Sequence, residues 1–227
     1  MTKTILIVGA SRGLGLGLVG EHLKRGFDVI ATVRQTEDEP ALKALPGAER
    51  LTIRHLDVTS DDDIARLVSG LTGPLDIAFI NAGIAGPKGV TAATADELNA
   101  VMQTNVFGPI RLAHALADHV REATGILALM SSAMGSIGEN KSGSMEVYRA
   151  TKTAQNSFAR SLWLSTSKDR GVTVLSVHPG WVKTDMGGSN ADIDIETSVT
   201  GIADQLEAHV GAGTHTFIDY SGRELAW

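Results

Sequence analysis

Seven short runs of aliphatic and β-branched residues punctuate the chain: TILIVG (4–9), DVIATV (28–33), RLTIRHL (50–56), LDIAFI (75–80), GILALMSS (125–132), VTVLSV (172–177) and HTFI (215–218). Apolar residues run nearly continuously through them, the mark of strands buried on both faces. Between them, 13–25, 60–71, 95–121 and 148–168 show the mixed apolar and polar spacing of helices. Strands separated by helices, with right-handed crossovers, predict an α/β, doubly wound architecture: a mostly parallel seven-stranded sheet with helices on both faces. No repeat, low-complexity segment or linker divides the chain, so one domain over 1–227 is expected. The stretches 138–146 (GENKSGSME) and 187–196 (GGSNADIDIE) read as loops.

Composition narrows the function classes. With 227 residues, 43% of them hydrophobic, the chain can bury a full core. The absence of cysteine excludes disulfides and thiolate metal sites and suits a reducing cytoplasm, the expected location. A net charge of −6 with scattered basic residues argues against a nucleic-acid partner. No apolar run approaches a spanning helix, so no membrane partner is expected. The histidines lack ligand spacing; His114 and His119 fall in a helical stretch where packing or surface roles outweigh a metal, and no metal is expected.

Chemistry-bearing residues gather where strands end, the place where a doubly wound sheet forms its crevice. The first strand runs into GASRGLGLG, with Gly9, Gly13 and Gly15 at the turn and a helix after it. Such a turn lets backbone approach a pyrophosphate, though it also serves as a plain strand-to-helix corner. The second strand ends Val33-Arg34 without an acid, and Arg12 lies in the glycine turn. Two guanidiniums at one corner favour the 2′-phosphate of NADP over the free ribose of NAD; taken singly, each is an ordinary solvated arginine. Asp57 in LDVTS either accepts from an adenine amino group or begins the following helix. Asn81 and Gly83 in INAGI tie strand ends together and admit a ribose, or form a structural turn. Tyr148 and Lys152 stand one turn apart on one helix face, an arrangement shared by catalytic pairs and by plain neighbours.

Taken together, Gly9-x-x-x-Gly13-x-Gly15, Asn81-Ala82-Gly83, Asn105, Ser132, Tyr148-x-x-x-Lys152 and Pro179-Gly180 resemble the short-chain dehydrogenase/reductase family along the whole chain. MGSIGENKSG, HPGWVKTDMGG and the ending FIDYSGRELAW are similar to the branch containing C-factor and the sniffer-type carbonyl reductases. The resemblance implies a single Rossmann domain and an NADPH-dependent oxidoreductase interconverting a small carbonyl compound and its alcohol. Tyr148 would be its general acid/base, Lys152 would favour the phenolate, Ser132 would orient the carbonyl oxygen, and Asn105 would hold a water near Lys152. It implies cofactor contacts at Gly9, Ser11, Arg12, Gly13, Leu14, Gly15, Arg34, Asp57, Val58, Asn81, Ala82, Gly83, Tyr148, Lys152, Pro179, Gly180, Val182 and Thr184. NADP(H) is expected over NAD(H). The alternative is an NADP-binding regulatory or signalling protein of C-factor type with incidental turnover.

Ser132 rather than Ser131 is assigned because strand alternation puts neighbours on opposite faces and the family uses the second serine of such a pair. Ser132 and Tyr148 are further apart than is commonest in the family, the surplus lying in the polar loop between them. Met134, Ile137, Trp181 and Met186 are expected to line an apolar substrate pocket. Gly187 and Gly188 suggest a hinge for a closing lid over 187–196. Phe158, Leu162 and Trp163 suggest an apolar helix face for a homodimer or homotetramer.

Overall fold

A computed structural model describes residues 2–227. Its strands are β1 (Thr4–Val8), β2 (Asp28–Val33), β3 (Leu51–His55), β4 (Ile77–Ile80), β5 (Ile126–Met130), β6 (Thr173–His178) and β7 (His215–Asp219). They form one sheet in the order β3-β2-β1-β4-β5-β6-β7. Every ladder in it is parallel, so the "mostly parallel" expectation is met in full. Strand order reverses between β1 and β4, which opens a crevice at their carboxyl ends.

The apolar runs divide between two cores, except that β3, at the sheet edge, exposes Thr52, Arg54 and His55 and is not the doubly buried strand expected. Ile5 and Ile7 face helices α1 (Gly13–Lys24) and α7 (Ile195–Ala208), with Leu18, Leu23, Ile202 and Leu206 against them. Leu6 and Val8 face the other layer, of α3 (Asp61–Ser69), α5 (Gly108–Leu116) and α6 (Glu146–Leu162), with Leu67, Leu112 and Leu162. Local chemistry starts the helices. Ser60 caps α3 by accepting from the Asp63 N–H, three aspartates follow in the first turn, and Thr94 with Glu97 forms a reciprocal capping box on α4 (Ala95–Met102).

Several boundaries differ from expectation. The 95–121 stretch is not one helix: a wide π turn, Gln103–Phe107, separates α4 from α5, and a 3-10 turn, Ala117–His119, ends it. Helix α6 starts two residues early and passes into a second π turn, Trp163–Ser167. The short α2 (Glu39–Lys43) and all of α7 beyond Glu196 were not anticipated. The 187–196 stretch is only half a loop. Ala191 is buried, Ile193 bridges Val182, and Asp194 caps α7 through the Thr197 N–H, so the second half of the stretch is anchored.

The expected apolar helix face is also narrower. Leu162 is fully buried in its own chain, Trp163 is covered by the Arg160 guanidinium at 4.6 Å, and exposed Phe158 meets Phe107 edge-on at 6.2 Å. At the carboxyl end the chain doubles back on β7: Asp219 N–H donates to Arg223 O and Leu225 N–H to Phe217 O. Trp227 then stacks over His215 and Phe217, at 4.8 and 5.4 Å between centroids.

Candidate active site

The glycine turn after β1 is held by its neighbours. Gly9 N–H donates to Thr32 Oγ1 at 3.1 Å, Ala10 N–H to Thr32 O at 2.8 Å, and Asn81 Nδ2 donates to Gly9 O at 2.7 Å. The turn needs glycine: Gly9 has φ of +83°, and a Cβ on Gly15 would stand 2.1 Å from Gly9 O. Ala82 backbone lies 3.0 Å from where a Gly9 Cβ would be, so the turn and the β4 end are in direct contact. Helix α1 follows with no side chain capping its first N–H groups, while half-buried Ser11 and Leu14 flank it. This is a cradle for a phosphate group.

The two corner arginines part company. Arg34 is exposed at the end of β2 and makes no ion pair or side-chain hydrogen bond to a described residue. Arg12 turns toward the β6 side and pairs with Asp185 at 3.0 Å, both well exposed. Beyond β3, the capping question resolves onto two residues. Ser60 is the cap, whereas Asp57 Oδ1 accepts from Thr59 N–H and Oγ1 at 2.8 and 2.7 Å, leaving Oδ2 without a partner. Val58 is buried, its carbonyl against Gly108.

The four residues named for catalysis converge. Lys152 Nζ and Asn105 Oδ1 both lie under Gly83, at 3.7 and 3.4 Å from the place of its absent Cβ. Ser132, two residues past β5, accepts from Met134 N–H at 3.1 Å and lies close enough to Tyr148 to pull its phenol down, so the longer Ser-to-Tyr spacing does not separate them. Ser131 points the other way, donating to Asn156 Oδ1 at 2.7 Å. The Lys152 ammonium sits 5.7 Å from the Tyr148 ring centroid, and its hydrogen bonds go elsewhere, to Met130 O at 2.6 Å and Gln155 Oε1 at 3.2 Å.

Burial therefore outweighs mutual help between the pair. Desolvation pushes the Tyr148 phenol up to about 12 against a smaller downward pull from the Ser132 hydroxyl, and lowers Lys152 to about 7. Tyr148 as a residue is half-buried, so water at the crevice mouth moderates its shift. Without a cofactor, burial sets the direction for the phenol, and Lys152 is not among the groups that shift it. The Asn105 side chain is engaged too, accepting from Ile84 N–H and donating to Ile84 O, both at 2.8 Å. Both ends of the Asn105 amide are thus taken, and the residue itself lies within the π turn.

After β6, Pro179 O accepts from Ser198 Oγ at 2.6 Å and Gly180 takes φ of +85°, where a Cβ would strike Ile193. Val182 is buried, and Thr184 Oγ1 accepts from Gly187 N–H at 3.1 Å. Of the expected pocket residues, Ile137, Trp181 and Met186 are exposed and Met134 is half-buried. Trp181 Nε1 donates to Gly187 O at 2.8 Å, fastening the near end of the 187–196 stretch. Thr151, Gln155 and Asp185 are neighbours of the site that the motifs do not contain. A polar residue on the inward face of α6, one turn past Lys152, was the available signal for Gln155. Among the described residues no group of three or more His, Asp or Glu is placed to hold a metal ion, and no helix is long and apolar enough to cross a membrane.

The profile of the family described as short chain dehydrogenase matches residues 3–194. A carbonyl reductase from Pseudomonas aeruginosa PAO1, solved in complex with NADP, is 37% identical with a TM-score of 0.92, over the whole of both chains. The carbonyl reductase Sniffer of D. melanogaster is 35% identical with a TM-score of 0.88, again over both whole chains. C-signal of Myxococcus xanthus is 34% identical over 161 residues, 69% of this chain and 95% of that one.

Proposed function

This chain belongs to the short-chain dehydrogenase family, and from that premise we propose that it is an NADPH-dependent reductase of a small carbonyl compound, with Tyr148 as proton donor. The observation that carries the reading is the convergence of Ser132, Tyr148, Lys152 and Asn105 beside the glycine cradle, at the switch between β1 and β4. The cradle fits a dinucleotide: a bare helix start and three glycines, of which Gly15 leaves no room for a Cβ and Gly9 and Gly13 take positive φ. When bound, NADPH supplies the hydride that reduces the carbonyl carbon.

The chain's own residues then do the rest. Gly9, Gly13 and Gly15 hold the pyrophosphate, with Ser11, Leu14 and the unpaired start of α1 around it. Asp57, with Oδ2 free, and the Val58 backbone would meet the adenine, while Asn81 ties the β1 and β4 ends together and Ala82 and Gly83 would meet the ribose. Pro179, Gly180, Val182 and Thr184 border the nicotinamide. Tyr148, kept protonated by burial, gives its proton to the carbonyl oxygen, and Ser132 donates to the same oxygen to orient it. Lys152 carries positive charge toward this centre, and the Asn105 main chain holds the water that returns the proton. Ile137, Trp181, Met134 and Met186 offer an apolar wall to the rest of the substrate. A panel of small aldehydes and ketones, followed by loss of NADPH absorbance, tests the reading; no turnover on any member rejects it. The signalling alternative rests on the likeness to C-signal and differs in requiring cofactor binding but not the Tyr148 proton. A cytoplasmic setting accompanies the reading, which a chain without cysteine suits.

Cofactor choice follows from Arg34, the unpaired guanidinium at the β2 end. Arg34→Ala is expected to weaken NADPH by about ten- to a hundredfold, the worth of a charge-assisted bond, and NADH hardly at all. Titrating both cofactors decides it, and equal weakening of the two contradicts a 2′-phosphate contact. Arg12 needs to leave Asp185 to join it, so Asp185→Asn is the informative partner variant.

Association is proposed through the exposed Phe107 and Phe158 pair, on the π turn and α6. Light scattering at micromolar concentration should give at least the mass of a dimer. A monomeric mass is the contrary result.

A further inference from the structure

The helix face that carries Tyr148 and Lys152 continues into the interior with Gln155, then Ala159 and Leu162. The last two are fully buried apolar packers, and Gln155, 1% exposed, occupies the same stripe with an amide. Its Oε1 accepts from Lys152 Nζ at 3.2 Å, but its Nε2 has no hydrogen-bond partner. An unpaired buried N–H2 is destabilising, and a leucine or methionine there would remove it without leaving a hole. The oxygen end is the one feature of the side chain that such a replacement loses.

We propose that Gln155 is a positioning residue for Lys152: its Oε1, together with the Met130 carbonyl, takes two of the three N–H bonds of the ammonium and leaves the third for the crevice. This rests on the catalytic reading of Tyr148 and Lys152 given above. A neutral amine has only two N–H groups, and both acceptors lower the free energy of the charged form more. They act against burial, which on its own drives Lys152 down to about 7. Around the ammonium, the described residues offer few other charges. Its own helix presents the Tyr148 phenol, β5 the Met130 carbonyl, the β4 loop Gly83, and the π turn the neutral Asn105. No carboxylate or second cation contributes to its titration. Gln155 is therefore the side chain whose replacement should move it.

The test is a titration of the Lys152 side chain by NMR on nitrogen-labelled protein without added cofactor. Gln155→Met is expected to keep or raise the melting temperature, because the orphan donor goes, while Lys152 titrates about one pH unit lower, a roughly tenfold change in its protonation equilibrium. Gln155→Glu supplies an anionic acceptor and should move the lysine up. In alcohol oxidation the pH of half-maximal kcat should rise in Gln155→Met, since a less charged lysine helps the phenolate less, with KM for the alcohol unchanged. A folded Gln155→Met protein whose Lys152 titrates as in the wild type overturns the proposal. If that variant does not fold, the absence of an upward shift in Gln155→Glu overturns it equally. The titration needs no substrate, so a wild type that reduces no carbonyl compound rejects the catalytic reading and not the hold of Gln155 on Lys152.

Discussion

Tyr148→Phe should fold, bind NADPH as the wild type does, and reduce carbonyl compounds about a hundredfold more slowly or worse, the scale of a lost general acid. The variant removes one atom of consequence. The contact of the Tyr148 segment with its own helix runs through the main chain, Thr151 Oγ1 donating to Tyr148 O at 2.7 Å, and survives the change. The glycine cradle, Asn81 and Arg34 are untouched, so cofactor affinity should stand. What goes is a proton held through the neutral range by a phenol pushed up to about 12, the state a donor to a carbonyl oxygen requires. Measuring turnover by NADPH absorbance and binding by calorimetry separates the two effects. Turnover near wild type in a folded variant would remove Tyr148 from the chemistry.

The second large effect concerns acid. His22, His178 and His215 are each lowered from 6.5 to about 4, in every case chiefly by desolvation. His22 is packed edge-on against Phe27 at 5.2 Å, and the Nδ1 atoms of His178 and His215 find no hydrogen-bond partner. Between pH 6.5 and 4 the unfolded chain therefore binds more protons than the folded one. Stability is complete above the unfolded value and falls as pH drops through that window, by about 1.4 kcal/mol per pH unit for each fully buried histidine and less for half-buried His178. Urea unfolding at pH 7.5 and pH 5 should show a loss of several kcal/mol, before the carboxylates titrate. His22→Leu should flatten the slope by about one histidine's share. Equal stability at both pH values would show that these rings are not desolvated in solution.

Much of the architecture follows from a local signal. Strands apolar at consecutive positions had to be covered twice, and Ile5 with Ile7, against Leu6 with Val8, shows why the pattern sufficed. The site was readable for the same reason: glycines and paired polar residues at strand ends have few uses there. Boundaries were not readable where hydrogen bonding departs from the α ladder, because the π turns at Gln103–Phe107 and Trp163–Ser167 leave amphipathic spacing nearly unchanged. Helix α7 was missed because its start, ADIDIET, is charged and its cap, Asp194, resembles the other acids around it. Side-chain partnerships lay beyond reach altogether. Arg12 turns to Asp185, 173 positions away, and Lys152 turns to a carbonyl of β5, and neither choice has a trace in composition or spacing.

The returning tail beside β7 bears on how copies of the chain meet. A seven-stranded open sheet has two free edges, each a template for another chain's strand. The β7 edge is occupied by the returning tail, Arg223 accepting through its carbonyl from Asp219 N–H and Leu225 donating its N–H to Phe217 O, with Trp227 as a lid. The β3 edge is short and carries exposed Arg54 and His55, which discourage pairing. Sheet extension, the route to open-ended fibrils, is blocked at β7 and discouraged at β3, which leaves helix faces as the surface on which a two-fold, self-limiting contact could form.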